Sequence, residues 1–364
     1  MRQTPFAAPS CGPRKWIEHL PVALLLIASL LAGACSAAGA STAPPSPAGS
    51  VAAVSNVAPG RPDNTDPARQ PSASPSPSTA AFPVVLTDDQ GAAVEIPAPP
   101  HRVVSLAPSV TETLFALGAG SMLVGVTDAD DYPPEARALP HVATYAGVEL
   151  EKVVAARPDV VIAWKGITQA ADVAKMRALG LVVMVLYATS VQGVLADIAL
   201  VGRATGTSPR AVNLVGRMSA RIDAIAAAAG ATASRPRVFY EIDATKAIYG
   251  LAPDDFTADL VRLAGGDPVT SGTPGVYAMS FEELVAADPE VIILGDAAYG
   301  VTAAAVAARP GWLTMTAVRS GAIRPIDDVV VTRPGPRIVD GLAALALVIH
   351  PGMTLPAEPA GTVP

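Results

Sequence analysis

Two stretches of this chain, LEKVVAARPDVVI at residues 150–162 and FEELVAADPEVII at residues 281–293, align with each other without a gap. Each combines a helical pattern, a turn that contains proline, and an apolar run typical of a buried strand. Residues 111–118 and 257–264 form a second, weaker pair of similar segments. The repeat predicts two similar α/β lobes, with a ligand crevice between them at the carboxyl ends of the strands.

Outward from the repeat, strand-like and helix-like segments alternate from about Phe82 to about Pro351. This order predicts parallel sheets that are covered by helices on both faces. Residues 191–204 and 209–229 are helical in pattern and longer than one crossover requires, so they predict a helical connector. We therefore expect an α/β fold of two Rossmann-like lobes, each a parallel sheet covered by helices, bridged by a long α-helix. The expected boundaries are 82–190 for the N-terminal lobe, 191–231 for the connector, 232–352 for the C-terminal lobe and 353–364 for a disordered tail.

The first 35 residues resemble a lipoprotein export signal. Basic residues precede an apolar run at 20–31 that is too short to anchor a mature protein across a bilayer. The small residues before Cys35 resemble a lipobox, in which the cysteine is lipidated, although Ala32 stands where leucine is usual. Ordinary cleavage beside an incidental cysteine is the alternative. We expect an extracytoplasmic protein that is lipid-anchored to the cell membrane at Cys35 and carried on a disordered linker at 36–81.

The composition argues against several classes of function. The formal net charge is −7 and there is no run of lysine and arginine, so we expect no nucleic-acid partner. The sequence contains no phosphate-loop, nucleophile-elbow or HExxH motif. His101, His141 and His350 are far apart in sequence and have no neighbouring cysteine, which argues against a zinc site. We therefore expect a monomeric binding protein with no catalytic residues, no cofactor and no resident metal.

Three motifs carry a resemblance to a known family. They are RVVSLAPSVTE at 102–112, VGVT at 124–127 with DYPP at 131–134, and LEKVVAARPDVVIAW at 150–164. Over about residues 82–352 the chain resembles the helical-backbone class of periplasmic solute-binding proteins of ABC importers, and most nearly the cobalamin-binding members. The resemblance implies capture of cobalamin or a related corrinoid for delivery to an ABC permease and its ATPase. The alternatives are capture of a ferric siderophore or haem, and a cofactor-binding enzyme or sensor on a related two-lobed scaffold.

Candidate ligand contacts lie on the loops after predicted strand ends: Tyr145, Trp164, Tyr277, Asp327, Asp328 and Arg333. The flat ring of Tyr145 would pack against a corrin or porphyrin face, or else fill the rim of its lobe. Trp164 would line the crevice, or else pack between layers. Tyr277 lies where the relatives have a cleft aromatic, although strict alignment places Val276 on that position.

The charged candidates have alternatives of their own. Asp327 and Asp328 are similar to an acidic cleft residue of the cobalamin-binding members that accepts hydrogen bonds from corrin amides, and solvated loop acids are the alternative. Arg333 would pair with a carboxylate or a siderophore oxygen. Arg337 is expected instead to cap and orient the helix at 338–349.

Tyr240 and His141 are candidate ligands for a haem iron, because a phenolate or an imidazole suits ferric haem. The alternatives are a core side chain for Tyr240 and a surface position for His141. The sequence leaves both readings open.

The repeat also places Glu151 and Glu282 at equivalent positions, in the first turn of the repeated helix. The family resemblance implies that such paired carboxylates dock onto arginines of the two permease subunits. Stabilisation of the helix dipole is the alternative reason for a glutamate at this position.

Overall fold

The computed structural model describes residues 82–357, and strands and helices alternate along most of this range. The predicted signal sequence, Cys35 and the linker lie outside the described residues. The strands are Val84–Thr87 (β1), Ala93–Ile96 (β2), Val103–Ser105 (β3), Leu123–Thr127 (β4), His141–Thr144 (β5), Gly147–Val148 (β6), Val160–Trp164 (β7), Val183–Leu186 (β8), Arg237–Glu241 (β9), Ile248–Tyr249 (β10), Asp267–Pro268 (β11), Ala278–Met279 (β12), Val291–Leu294 (β13) and Ile323–Pro325 (β14). The α-helices are Pro108–Ala116 (α1), Leu150–Ala155 (α2), Ala170–Ala178 (α3), Val191–Ala204 (α4), Ser208–Gly230 (α5), Phe256–Leu263 (α6), Phe281–Ala287 (α7), Ala303–Ala307 (α8), Thr316–Arg319 (α9), Asp328–Thr332 (α10) and Ile338–Ile349 (α11).

The two lobes contain separate sheets, as the repeat predicts. The C-terminal sheet has the order β11-β9-β13-β14, and all of its strands are parallel. The N-terminal sheet has the order β6-β5-β4-β3-β7-β8, and its edge strand β6 is antiparallel to β5. The expectation of a purely parallel N-terminal sheet is therefore wrong at this edge, because a tight turn at Tyr145 and Ala146 returns the chain directly onto β5.

The repeated segments adopt the same local structure in both lobes. Arg102 donates from Nε and Nη2 to the carbonyl of Ala156, while Arg237, at the start of the equivalent strand, donates to the carbonyls at the end of α7. Arg157 and Asp288, which align in the repeat, are left-handed at φ of 45° and 41°. A left-handed residue that is not glycine is uncommon, so its recurrence at aligned positions supports a common origin of the two units.

The connector lies where the sequence predicts it, but it consists of two helices. Helix α4 is separated from the 23-residue α5 by a short break that contains Gly206 at φ of +73°. At 1.5 Å per residue, α5 is about 35 Å long. A Cβ at Gly202 would lie 2.4 Å from the Cβ of Ala211, so glycine permits the close packing of the two helices.

One apolar core runs through both lobes and the connector. Val103 of β3 and Val238 of β9 point into it, as do residues of α4, α5 and α11. The next residue of each strand, Val104 or Phe239, points to a smaller core on the opposite face of its own sheet. Each sheet therefore shares one face with the other lobe and keeps one for itself.

Two features of the fold were not predicted. A β1–β2 hairpin precedes the N-terminal sheet, and its turn residue Asp88 accepts a hydrogen bond from Arg177 at 2.9 Å. The segment after α11 continues to pack, because Met353 and Leu355 lie against the shared core. Part of the tail expected at 353–364 therefore packs against the fold, and residues 358–364 lie outside the described residues. Among the helices at 82–357, none combines the length and the apolarity that crossing a membrane requires.

Candidate ligand-binding site between the lobes

Two arginines of the C-terminal lobe reach across to the N-terminal lobe. Arg337 donates from Nε and Nη2 to the two carboxylate oxygens of Glu112, on α1, at 2.8 and 2.6 Å. Arg333 donates from Nη1 to Glu112 at 3.1 Å and to Asp131 at 2.7 Å. The side chain of Glu112 is only 2% exposed. A buried carboxylate is tolerated where cationic groups bind it, so this inter-lobe ion cluster ties the two lobes together.

The expectation that Arg337 caps α11 is wrong. Arg337 occupies the N-cap position, but its side chain makes no capping hydrogen bond. The reason is chemical: the start of a helix presents N–H donors, and a guanidinium group has no acceptor to offer them. Instead the guanidinium lies 4.3 Å from the ring centre of Tyr132, which is a cation–π contact.

The electrostatics of the cluster follow from its pairing. The hydrogen bond to Glu112 raises the pKa of Arg337. Burial alone would lower the pKa of Arg333, but the hydrogen bonds to Asp131 and Glu112 outweigh it and raise that pKa. Burial opposes ionisation of Asp131, yet its hydrogen bond to Arg333 lowers the pKa of this carboxyl. The Asp131 carboxylate and both arginines are therefore charged near neutral pH.

A second set of charges lies at the carboxyl edge of the C-terminal sheet. Four carboxyl groups follow or end its strands: Glu241 on β9, Asp296 after β13, and Asp327 and Asp328 after β14. The buried carboxylate of Glu241 binds both terminal nitrogens of Arg309, at 2.6 and 2.7 Å. Asp327 is exposed and accepts the backbone N–H of Val329 at the start of α10, at 3.1 Å. The edge that faces the predicted crevice is therefore rich in acids.

Asp296 is the unusual member of this acidic edge. It is 5% exposed, and its carboxyl group lies beside the carboxylate of Glu241 without a cationic partner of its own. Burial, followed by the neighbouring charge of Glu241, raises the pKa of Asp296 to about 7. An unpaired buried carboxylate is costly, so the side chain is expected to hold a proton below neutral pH.

Tyr240 and His141 do not lie where a haem ligand would be expected. Tyr240 is fully buried, and its hydroxyl donates to Asp328 at 2.7 Å. Burial raises the pKa of Tyr240, which disfavours the phenolate that iron would need. His141 is exposed, but it begins β5 and so lies at the amino end of that strand, away from the carboxyl edge. Tyr240 is therefore a core side chain, and His141 is a surface residue.

The two predicted tyrosines differ in their exposure. Tyr145 is 63% exposed in the turn between β5 and β6. Tyr277 is half-buried, and its hydroxyl donates at 2.7 Å to Asp255, the N-cap residue of α6. Burial and the Asp255 carboxylate raise the pKa of Tyr277, and Tyr187 of the N-terminal lobe adds to that electrostatic effect. Tyr277 thus lies near the opposite lobe, and Val276 beside it is 41% exposed.

Trp164 lines a pocket to which both lobes contribute. The pocket also borders Ser109, Asp197 of α4 and Pro334 of the C-terminal lobe. Its cavity volume is only ≈ 10 Å³, far below the roughly 300–1,000 Å³ of small-molecule sites. The indole N–H of Trp164 is buried without a hydrogen-bond partner. In this conformation Trp164 packs between the lobes, and the pocket is too small for a corrin.

Asp197 gives the connector a titratable group at this pocket. Its carboxyl is buried beside Asp89 of the β1–β2 turn, whose own carboxylate accepts the backbone N–H of Tyr187 at 2.5 Å. Burial first, and then the Asp89 carboxyl, raises the pKa of Asp197 to about 9. The Asp197 carboxyl is therefore protonated at neutral pH.

The two candidate docking residues occupy equivalent surfaces. Glu151 lies in the first turn of α2 and Glu282 in the first turn of α7, and both are exposed. Their helices begin differently, because Ser280 and Glu283 form a capping box on α7, whereas Glu149 provides no side-chain cap on α2.

Of the predicted ligand residues, the structure brings Asp328 and Arg333 close together. The positive charge of Arg333 is near enough to lower the pKa of the Asp328 carboxyl, although burial has the larger effect and raises it. Sequence reasoning missed the roles of Glu112, Asp131 and Tyr132. All three lie in the quoted family motifs, so the signal was the motif itself. Within residues 82–357, no group of three or more histidine, cysteine or acidic side chains is arranged to hold a metal ion.

Comparisons with known proteins agree with this geometry. The periplasmic binding protein family model matches residues 103–330. An uncharacterised ABC transporter substrate-binding lipoprotein of Bacillus subtilis, YvrC, is 32% identical over 79% of this chain and 91% of its own length. A cobalamin-binding protein of Halobacterium salinarum is 31% identical over 74% of this chain and 75% of its own.

A solved structure shows the same fold. The periplasmic heme-binding protein RhuT from Roseiflexus sp. RS-1, in its apo form, has a TM-score of 0.62 and 25% identity, over 70% of this chain and 99% of that one. Two separate lobes on a helical connector, a matching family model and relatives of similar length all lead to one assignment. The chain belongs to the periplasmic binding protein family, as a substrate-binding protein of an ABC transporter and not an enzyme.

Proposed function

We propose that this protein captures cobalamin or a related corrinoid outside the cytoplasm and delivers it to an ABC permease. The observation that carries the proposal is Asp327, the exposed carboxylate of the acidic edge of the C-terminal sheet, because carboxylates accept hydrogen bonds from the many amide groups of a corrinoid. The 31% identity to a cobalamin-binding protein over three quarters of each chain supports it. The exposed ring of Tyr145 offers a face for an aromatic or macrocyclic surface.

The second candidate ligand is a haem or a ferric siderophore. Arg333 and Arg337 favour it, because arginine binds carboxylates and other anionic oxygens well. The structural relative RhuT, a periplasmic heme-binding protein, supports the same candidate. Both arginines are already paired with acids, however, which favours the corrinoid.

Titration of the purified protein with cyanocobalamin, haemin and ferric siderophores tests the proposal. We expect a saturable spectral change and an increase in Tm with cyanocobalamin, because a ligand that binds only the folded state stabilises it by mass action. A response to haemin alone would replace the corrinoid by the second candidate. No response to any of these chelates at micromolar concentrations would overturn the proposed substrate class.

Glu151 and Glu282 are proposed to contact the permease. Their exposure at equivalent positions of the two lobes supports this, and charge reversal at both should abolish uptake while ligand affinity is unchanged. Glu95→Lys with Asp223→Lys is the matched control, since both residues are exposed and the change in net charge is identical. Uptake that survives the Glu151 and Glu282 reversals, or that fails equally in the control, would contradict specific docking.

Lipid anchoring at Cys35 is also a proposal, supported by the sequence before the cysteine and by the lipoprotein name of YvrC. The full-length protein should partition into detergent and incorporate labelled palmitate. A Cys35→Ala variant should do neither.

A further inference from the structure

We propose that Asp131 determines ligand specificity. Its carboxylate occupies the position beside the Arg333 guanidinium that a carboxylate of the ligand would otherwise take. The crevice would then disfavour anionic chelates such as haemin and accept uncharged ligands that are rich in hydrogen-bond donors. The ligand part of this inference rests on the proposed function. The pairing of Asp131 with Arg333 stands on the geometry of the inter-lobe ion cluster.

The partners of Arg333 differ in how easily they can be replaced. Glu112 is 2% exposed and is also bound through both oxygens by Arg337, so it is fixed in place. The Asp131 side chain is 49% exposed and makes the shorter contact, at 2.7 Å. Ion pairs open to water contribute little to stability. Asp131 is therefore an exchangeable partner, and it can yield Arg333 to another carboxylate that arrives from solvent.

The surrounding charges explain the direction of the selectivity. With Asp131 present, two arginines face two carboxylates, and the cluster carries no excess cation. The nearby edge of the C-terminal sheet adds Asp328, whose charge is close enough to interact with Arg333. An approaching dianion therefore meets a paired arginine and further acids, which repel it. This repulsion does not reduce the binding free energy of a neutral ligand, and the same carboxylates can accept hydrogen bonds from its N–H groups.

Chemical rescue tests the pairing without any assumption about the transported ligand. Asp131→Ala leaves a space beside Arg333 that formate, a free carboxylate, can fill. We expect formate to raise the Tm of Asp131→Ala in a saturable manner, against chloride at the same ionic strength. The wild-type protein and the Asp131→Ala, Arg333→Gln double variant should show no such increase. Equal formate responses in all three proteins would overturn the inference.

Ligand titration tests the selectivity. In Asp131→Asn, the affinity for haemin should rise about tenfold, the order of one hydrogen bond to a charged group. The affinity for cyanocobalamin should stay within about twofold on the same scale. Asp128→Asn is the matched control, because Asp128 is an exposed aspartate on the same loop. It should change neither affinity.

The outcomes separate the two proposals. A haemin affinity that does not rise in Asp131→Asn, or that rises equally in Asp128→Asn, contradicts the role of Asp131. If the wild-type protein and Asp131→Asn both fail to bind every chelate, the proposed function falls. The formate experiment then still decides whether Asp131 occupies a carboxylate position on Arg333.

Discussion

The two lobes begin their central strands alike and end them differently. Arg102 directly precedes β3 and Arg237 begins β9, and each binds a carbonyl at the end of the repeated helix of its own lobe. At the carboxyl ends, the N-terminal lobe has Ser105, a small hydroxyl that accepts a hydrogen bond from Thr111 at 2.8 Å. The equivalent residue of the C-terminal lobe is Tyr240, which is bound to Asp328.

The next position shows a larger contrast. Leu106 follows β3 and is apolar and buried, whereas its equivalent Glu241 is buried as an ion that needs Arg309. The amino ends of the strands carry the scaffold and changed little after duplication. The carboxyl ends face the crevice and diverged, so the charge of the crevice comes mainly from one lobe.

The largest effect should come from breaking the buried pair of the C-terminal lobe. Arg309→Ala leaves Glu241 buried without a cation, and we expect a loss of about 3–5 kcal/mol in the free energy of unfolding. Arg177→Ala is the N-terminal counterpart, but Asp88 keeps backbone N–H donors from Gln90 and Ala92 at 3.0 and 2.8 Å. It should cost about 1–2 kcal/mol. If urea denaturation showed equal losses of unfolding free energy for Arg309→Ala and Arg177→Ala, the buried ion pair of the C-terminal lobe would be no more important for stability than that of the N-terminal lobe.

The second-largest loss of stability should come from mutations in the inter-lobe ion cluster. Arg337→Ala removes two of the three arginine contacts of Glu112, and it should lower the free energy of unfolding by about 2 kcal/mol. Arg333→Ala removes one contact of Glu112 together with the exposed pair to Asp131, and it should cost less. Denaturant titration of both variants checks the order, and a larger loss for Arg333→Ala would show that the cluster is held mainly through Asp131.

The pH dependence of stability should separate the C-terminal lobe from the connector. Asp296 and Asp197 have folded-state pKa values of about 7 and about 9, both above the ordinary value of 3.8. Each therefore contributes most stability at low pH and loses it as pH rises to its own folded pKa. Between pH 7 and 9 most of the remaining fall comes from Asp197, and wild-type stability should decrease by about 2–3 kcal/mol.

Two isosteric variants check this assignment. Asp197→Asn should flatten the fall over the whole range up to pH 9, while Asp296→Asn should flatten mainly the part below about pH 7. Thermal unfolding measured across the range distinguishes them. An Asp296→Asn variant that flattens the upper range would mean that the two groups have been assigned the wrong way round.

The smallest effect concerns the repeated helix. Ser280→Ala removes the capping box of α7 and should cost about 0.5–1 kcal/mol. Glu149→Ala, at the equivalent N-cap of α2, removes no cap and only an exposed pair with Lys152, so it should change stability by less than about 0.5 kcal/mol. Similar losses in denaturant titration would mean that the two helices are stabilised in the same way.

Sequence patterns were sufficient to predict the secondary structure of the duplicated units and of the connector. The gap-free repeat at 150–162 and 281–293 encodes helix, turn and strand together, and hydrophobic periodicity reports each element directly. Strand β6 was missed because two residues are too few to show a period. The hairpin at 84–96 was missed for a related reason, as its short strands stand apart from the repeat.

The partners of charged side chains could not be predicted. Glu112 and Arg337 are 225 residues apart in sequence, and their contact depends on how two lobes pack. The same limit applied to Tyr240, since a tyrosine at the end of a strand fits a core or a crevice equally well from sequence. In the structure the Tyr240 ring is fully buried, and a Cβ at Gly295 would lie 2.6 Å from it.

The apolar core that passes from the N-terminal lobe through α4 and α5 into the C-terminal lobe has a consequence for how the molecule unfolds. Neither half can be melted or excised without exposing a face of its own sheet to water. Calorimetry should therefore record a single transition whose heat capacity change reflects the whole of residues 82–357. What began as a duplication has become one cooperative unit.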